Sequence, residues 1–155
     1  MFGSIIGDIV GSRFEFRNKK SKDFEMFHED CEFTDDSVMT LAIAKAIDEC
    51  KDNYEELSNK TIYNMKNIGR NYPNCGYGGM FRRWIYSDLT ESYNSYSNGA
   101  AMRVSACGFV GKTLDEVKEL SRKVTEITHN HPEGLKGAEA TAVAIYLART
   151  GSSIQ

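Results

Sequence analysis

The sequence predicts an all-α protein. Three observations carry this: every regular apolar pattern repeats near 3.6 residues, no run alternates with the period of two that a half-buried strand shows, and helix-start signals precede the last two apolar stretches. Those signals are Thr113 with Glu116, a capping box, and Pro132 with Glu133, a proline at the first helical position followed by an acid in the first turn. At 155 residues the chain reads as a single domain, residues 1–155, long enough to bury a core.

Taken in order, the chain begins with Gly3, Gly7 and Gly11 spaced every four residues among Ile5, Ile6, Ile9 and Val10. On a helix they form one smooth stripe, suited to close packing by a second helix. Glycine lowers helix propensity by roughly 1 kcal/mol per residue relative to alanine, so tertiary contact has to stabilise this segment. Asp8 and Glu15 lie two turns apart and share a face. Residues 17–32 are polar and patternless and read as a loop; His28 and Cys31 within it have no second soft ligand at metal spacing.

Phe33-Thr34-Asp35-Asp36-Ser37 then opens an apolar helix through Val38, Met39, Leu41, Ala42, Ile43, Ala46 and Ile47, expected to be buried on most sides and to end near Asp52 and Asn53. Its first turn is therefore buried too. Thr34, Asp35 and Asp36 suit the orphan N–H groups and the dipole there, but one cap needs one side chain. Plain capping accounts for part of the group. A hard cation such as Mg²⁺ or Mn²⁺, which takes oxygen ligands, would account for both carboxylates.

A weaker helix is expected over Tyr54 to Ile68. The stretch Tyr72 to Met80 is a glycine-aromatic loop running into a short helix, Phe81 to Tyr86; it reads either as a turn or as a loop whose backbone approaches a ligand, and it lacks the ending of a phosphate loop. Ser95 to Arg103 places polar side chains and Gly99 ahead of a small-residue helix start, where free N–H groups suit an anion. Thr113 to Thr128 is a surface helix with Leu114, Val117, Leu120, Val124 and Ile127 as its apolar stripe. The helix opened by Pro132 runs through Ala138, Ala142 and Leu147, small enough on several faces to sit deep in a bundle. His129 and His131 beside its start suit hydrogen bonding better than zinc, since no further Cys or His spacing supports a site. Residues 150–155 form a polar end.

The balance of 19 basic and 22 acidic residues, net charge −3, leaves no basic footprint for a nucleic-acid partner. Asp8, Arg13 and Glu15 interrupt the apolar start, so it does not read as a signal peptide, and no apolar run reaches membrane-spanning length. A cytoplasmic protein is expected. Cys31, Cys50, Cys75 and Cys107 are widely spaced and are expected as free thiols.

Four segments, Gly3 to Glu15, Phe33 to Leu41, Ser95 to Arg103 and Thr128 to Ala138, together resemble the ADP-ribosylglycohydrolase family, which includes the dinitrogenase reductase-activating glycohydrolases. The resemblance covers essentially the whole chain. It implies an all-α helical bundle with two divalent cations, Mg²⁺ or Mn²⁺, in a central cleft, hydrolysing the glycosidic bond between ADP-ribose and a modified side chain or small molecule. By resemblance Thr34, Asp35 and Asp36 are metal ligands, Glu15 lies beside the metals, and Glu15, Asp35 and Asp36 carry the catalysis. Gly76, Gly78, Ser95, Tyr96, Asn98, Gly99 and His129 match positions that line the ADP-ribose pocket.

Family members continue further and end on a second acidic motif, Gly-Asp-x-Asp-Thr, that completes the binuclear site. Nothing after Arg149 resembles it, so the chain looks like the N-terminal part of a glycohydrolase, truncated at its C-terminus. The expectations that follow are weak metal binding, little activity of this chain alone, and a homo-oligomer or a complementing C-terminal chain.

Overall fold

The computed structural model describes residues 1–153. Among them are seven α-helices and no strand, as the periodicity predicts. They are α1 (Phe2–Gly11), α2 (Asp35–Cys50), α3 (Leu57–Asn71), α4 (Gly79–Tyr86), α5 (Ser105–Val110), α6 (Leu114–Thr125) and α7 (Pro132–Arg149), with 3₁₀ turns at Ser12–Phe14 and Asn98–Ala100. Ile154 and Gln155, the last residues of the polar end, lie outside the described residues. No described helix is long and apolar enough to cross a membrane, and all four cysteines are free.

The bundle is built around α2. Val38, Met39, Ala42, Ile43, Ala46, Ile47 and Cys50 are buried, and only the stripe Leu41, Lys45 and Asp48 faces out. That helix packs on α1, α3 and α5, while α6 and α7 pair and α7 crosses α5. The helix stops at Cys50, slightly before the expected end, because Lys51 and Asp52 both turn left-handed (φ 48° and 68°). Residues 54–56 form a turn rather than the first turn of α3, which starts at Leu57 and continues to Asn71. Helix α4 starts two residues earlier than expected, at Gly79.

The capping box ahead of α6 is present in a shifted form: Thr113 accepts from the Glu116 N–H at 3.2 Å, but the Glu116 carboxylate reaches the Lys112 N–H, at 2.7 Å. Val117, Leu120, Val124 and Ile127 are buried as expected, whereas Leu114, in the first turn, overhangs the packed face and is exposed. At the crossing of α5 and α7 a Cβ on Gly108 would stand 2.6 Å from the Ala142 carbonyl oxygen and 2.8 Å from Ile145. The backbone contact requires glycine there.

Three expectations are corrected. The Gly3, Gly7 and Gly11 stripe meets no partner helix: a Cβ on any of them would find nothing within 4 Å, and α1 has no buried residue. A row of small residues provides room for close approach, and here the room is left open as one side of a cleft. Helix α7 is buried on one face only, through Gly134, Ala138 and Ala142. The small-residue stretch after Gly99 is a 3₁₀ turn, and regular helix begins at Ser105.

Candidate active site

The start of α2 is organised by hydrogen bonds to a residue 26 positions earlier. Thr34, in extended conformation, caps the helix by accepting the Asp36 N–H at 3.3 Å. The Asp8 carboxylate of α1 accepts the Thr34 N–H at 2.9 Å, the Thr34 hydroxyl at 2.5 Å and the Ser37 N–H at 3.1 Å. One carboxylate therefore satisfies two orphan donors of the helix start and fixes the capping hydroxyl. Asp35 is held from the other side: its N–H donates to the Cys75 carbonyl at 2.7 Å, and Gly76, at φ +86°, turns the loop so that a Cβ there would lie 3.6 Å from Asp35 Oδ1. The glycine-aromatic loop is thus tied directly to the carboxylate pair.

With their backbone groups so engaged, Asp35 and Asp36 present their carboxylates to a cleft of about 900 Å³. Asp8, Glu15 and Thr34 share that wall, the open glycine face of α1 flanks it, and Asn98 enters from the turn after Ser97. The rest of the lining, Ala101, Met102, Ser105, Phe109, Thr141, Ile145, Ala148 and Arg149, contributes no carboxylate.

Burial first, then the charge of Asp36, pushes the Asp35 carboxyl up to about 6, with Glu15 and Asp8 adding to the rise and its own backbone N–H opposing it. Asp36 is also raised, by burial first and then by Asp8 and Glu15. Four acids therefore crowd one wall, and no side-chain donor among the described residues relieves Asp35 or Asp36.

That donor set fits a hard cation in part. The two free carboxylates offer oxygen, and Thr34 Oγ1, donating to Asp8 and accepting from Asp36, retains one lone pair. Among the described residues no group of three His, Cys, Asp or Glu side chains is arranged to hold a metal by itself.

The residues predicted from the sequence separate into layers. Glu15, Thr34, Asp35, Asp36 and Asn98 line the cleft. Gly76 stands beside Asp35. Ser95, Gly99 and His129 lie behind Asn98: Ser95 and His129 are buried, and a Cβ on Gly99 would sit 3.2 Å from His129 Nε2. Tyr96 is exposed, with its ring 5.2 Å from that of His131, and Gly78 is the N-cap of α4; neither lines the cleft. Asp8, on the face of Glu15, is a site residue that no sequence motif marks. Its two-turn spacing from Glu15 was the available signal, and its bonds to Thr34 and Ser37 depend on a contact no local pattern reveals.

An all-α bundle with a carboxylate-walled cleft at the start of its central helix matches one family over its whole length: the ADP-ribosylglycohydrolase model covers residues 1–155, and the chain belongs to this family. Among curated relatives it is 27% identical over 180 residues to the ADP-ribosylhydrolase ARH3 of Xenopus tropicalis, covering 97% of this chain and 49% of that protein. It is also 25% identical over 181 residues to ARH3 of Mus musculus (97% and 48% covered) and 24% identical over 181 residues to ARH3 of Homo sapiens (97% and 49%). The chain spans about half the length of the curated relatives it matches.

Proposed function

We propose that this chain forms the acid-bearing wall of a metal-dependent ADP-ribosyl glycohydrolase site, which removes ADP-ribose from a modified side chain or small molecule. The observation that carries the reading is the convergence of Asp8, Glu15, Asp35 and Asp36 with Asn98 on one cleft, in a chain whose relatives are named ADP-ribosylhydrolases. Asp35, Asp36 and the remaining lone pair of Thr34 would hold Mg²⁺ or Mn²⁺. A hard divalent cation there supplies Lewis acidity and offsets the crowded negative charge.

The protein's own groups do the rest. Asp35, raised to about 6 in the metal-free cleft, gives up its proton when a cation binds, so the general base for water attacking the anomeric carbon is a carboxylate outside the ligand set. Glu15 supplies a second carboxylate on the same wall, and the Asn98 amide offers both donor and acceptor to ribose hydroxyls. The bare glycine face of α1 lets a flat or charged group lie close to the backbone. Asp8 holds the wall together through Thr34 and Ser37.

Since the rest of the lining lacks carboxylates, the chain alone supplies fewer oxygens than the six that Mg²⁺ takes in octahedral array. The expected result of calorimetric titration is weak Mg²⁺ or Mn²⁺ binding, abolished in Asp35→Asn and Asp36→Asn. Turnover of ADP-ribosylated arginine or serine peptides should stay near background until a second chain supplies the facing wall. No binding of either ion or of ADP-ribose would sink the proposal. Tight binding of two ions with turnover by this chain alone would overturn its half-site element. A second reading, a catalytically inactive chain that at most binds ADP-ribose, draws on the described residues placing no third His, Cys, Asp or Glu side chain with Asp35 and Asp36 to hold a metal; failure of every added chain to restore turnover would favour it.

A further inference from the structure

Arginine is rarely fully buried without an acid beside it, yet Arg103 is only 1% exposed, and among the described residues none of its contacts is a salt bridge. Its guanidinium lies 5.8 Å from the centroid of the Phe81 ring and donates from Nη2 to Thr128 Oγ1 at 2.6 Å and, at 3.4 Å, to the Val124 carbonyl. Beyond Thr128 the hydrogen bonds continue as a chain. Thr128 Oγ1 is 2.9 Å from His129 Nδ1, His129 Nε2 is 3.0 Å from Ser97 Oγ, and Ser97 Oγ is 3.1 Å from Ser95 Oγ. The chain ends at the turn from which Asn98 enters the cleft.

Its direction follows from counting protons. A guanidinium only donates, so one lone pair of Thr128 Oγ1 is taken. If His129 carried its proton on Nδ1 and donated it to Thr128 as well, the threonine proton would need another acceptor. The oxygen near enough to take it is Tyr93 Oη, whose phenol feels Thr128 without a hydrogen bond of good geometry between them. If Thr128 instead donates to Nδ1, His129 carries its proton on Nε2 and donates to Ser97, which donates to Ser95. Every hydroxyl in the middle of the chain is then used once as a donor. The Arg103 charge also favours a lone pair, rather than an N–H, on the nitrogen nearest it.

We propose that Arg103, acting through Thr128, is a positioning residue that fixes His129 as the Nε2–H tautomer and so holds the turn presenting Asn98 to the cleft. Burial first, then the Arg103 charge, keeps the imidazole uncharged, with its pKa lowered to about 3. The turn is sensitive to this support because Gly99 packs directly on the ring. It is closed by the Ala100 N–H to the Ser97 carbonyl and by the Ala101 and Met102 N–H groups to the Asn98 carbonyl. The part played by Asn98 rests on the functional reading above, whereas the tautomer and the order of the turn do not.

The test uses long-range ¹H–¹⁵N correlation on histidine-labelled protein near neutral pH, with the His129 ring assigned by its loss in His129→Gln. The expected ring has its proton on Nε2. In Thr128→Val the relay is cut, so the tautomer should become mixed or switch to Nδ1–H, and amide exchange at Ala100, Ala101 and Met102 should accelerate about tenfold. Thr128→Ser keeps the hydroxyl and should restore both readouts. A wild-type ring protonated on Nδ1 overturns the proposal even if Thr128→Val fails to fold. So does a folded Thr128→Val protein with unchanged tautomer and exchange. Neither readout depends on glycohydrolase activity, so a failed assay of the proposed function leaves this test intact.

Discussion

Replacing Asp35 by Asn removes the most strained charge of the cleft while keeping its shape. The carboxyl is raised from its ordinary 3.8 to about 6, so between those values the folded protein binds the proton more tightly than the unfolded chain does. Stability from this group therefore falls as pH rises through that window, and at neutrality the ionised Asp35 is a net cost. In a dry site the difference would amount to about 3 kcal/mol, and solvent screening at a half-buried carboxylate reduces it to about 1–2 kcal/mol. The favourable interaction of the charge with the N-terminus of α2 is already contained in that net shift. Asp35→Asn should thus gain about 1–2 kcal/mol at about pH 7, a rise in Tm of about 2–4 °C for each kcal/mol in a domain of this size. The gain should disappear by about pH 4, where the wild-type group is already protonated in the fold. Thermal melts by circular dichroism at both pH values read this directly. A variant less stable than wild type near neutrality, or a gain of equal size at both pH values, would refute the reasoning.

Further outcomes follow from the same contacts. Asp8→Ala deletes three hydrogen bonds at the start of α2 and should cost about 2–4 kcal/mol, seen as a lower urea midpoint at unchanged slope; a loss under about 0.5 kcal/mol would show that Thr34 caps the helix unaided. Gly108→Ala should cost about 2 kcal/mol or more by forcing α5 off α7, whereas Gly7→Ala, with open space at its Cβ, should be neutral or stabilise by up to about 1 kcal/mol; equal effects would contradict the packing described. Phe2, Ile6 and Leu147 leave apolar surface on α1 and α7 uncovered, so the isolated chain should sediment as an oligomer at high concentration, and a persistent monomer would count against that expectation.

What could be read from the sequence was what local rules decide. Thr34-Asp35-Asp36 marks a helix start because capping connects a side chain to an N–H two or three residues on, and Pro132 with Glu133 works the same way. Register along α2 was legible because its apolar residues leave Lys45 and Asp48 outside, although Leu41, expected with the apolar run, falls on the same exposed stripe. The glycine stripe of α1 was read for its shape alone, and shape does not say whether a helix or a cleft lies opposite. Leu114 belongs to the apolar pattern of α6 but sits in its first turn, beyond the reach of the neighbouring helix. Arg103 follows small residues that read as a helix start. Its burial depends on Thr128, Val124 and Phe81, brought together only by the fold. Asp8 goes unmarked for the same reason.

Helix α1 buries none of its own residues and is pinned to α2 by the side chain of Asp8. Ile5, Ile9 and Val10 are only half-buried, so the opening of this helix does not require the core to melt. In order of disassembly α1 comes first: its amides should exchange through a sub-global opening far below the free energy of complete unfolding. Because that helix carries Asp8 and the approach to Glu15, the cleft loses one side while α2, α3, α5, α6 and α7 remain folded. Anything that bridges Asp8 and the start of α2 acts as a clasp, and its occupancy would be visible as slowed exchange in residues 2–11 before any change in the overall melt.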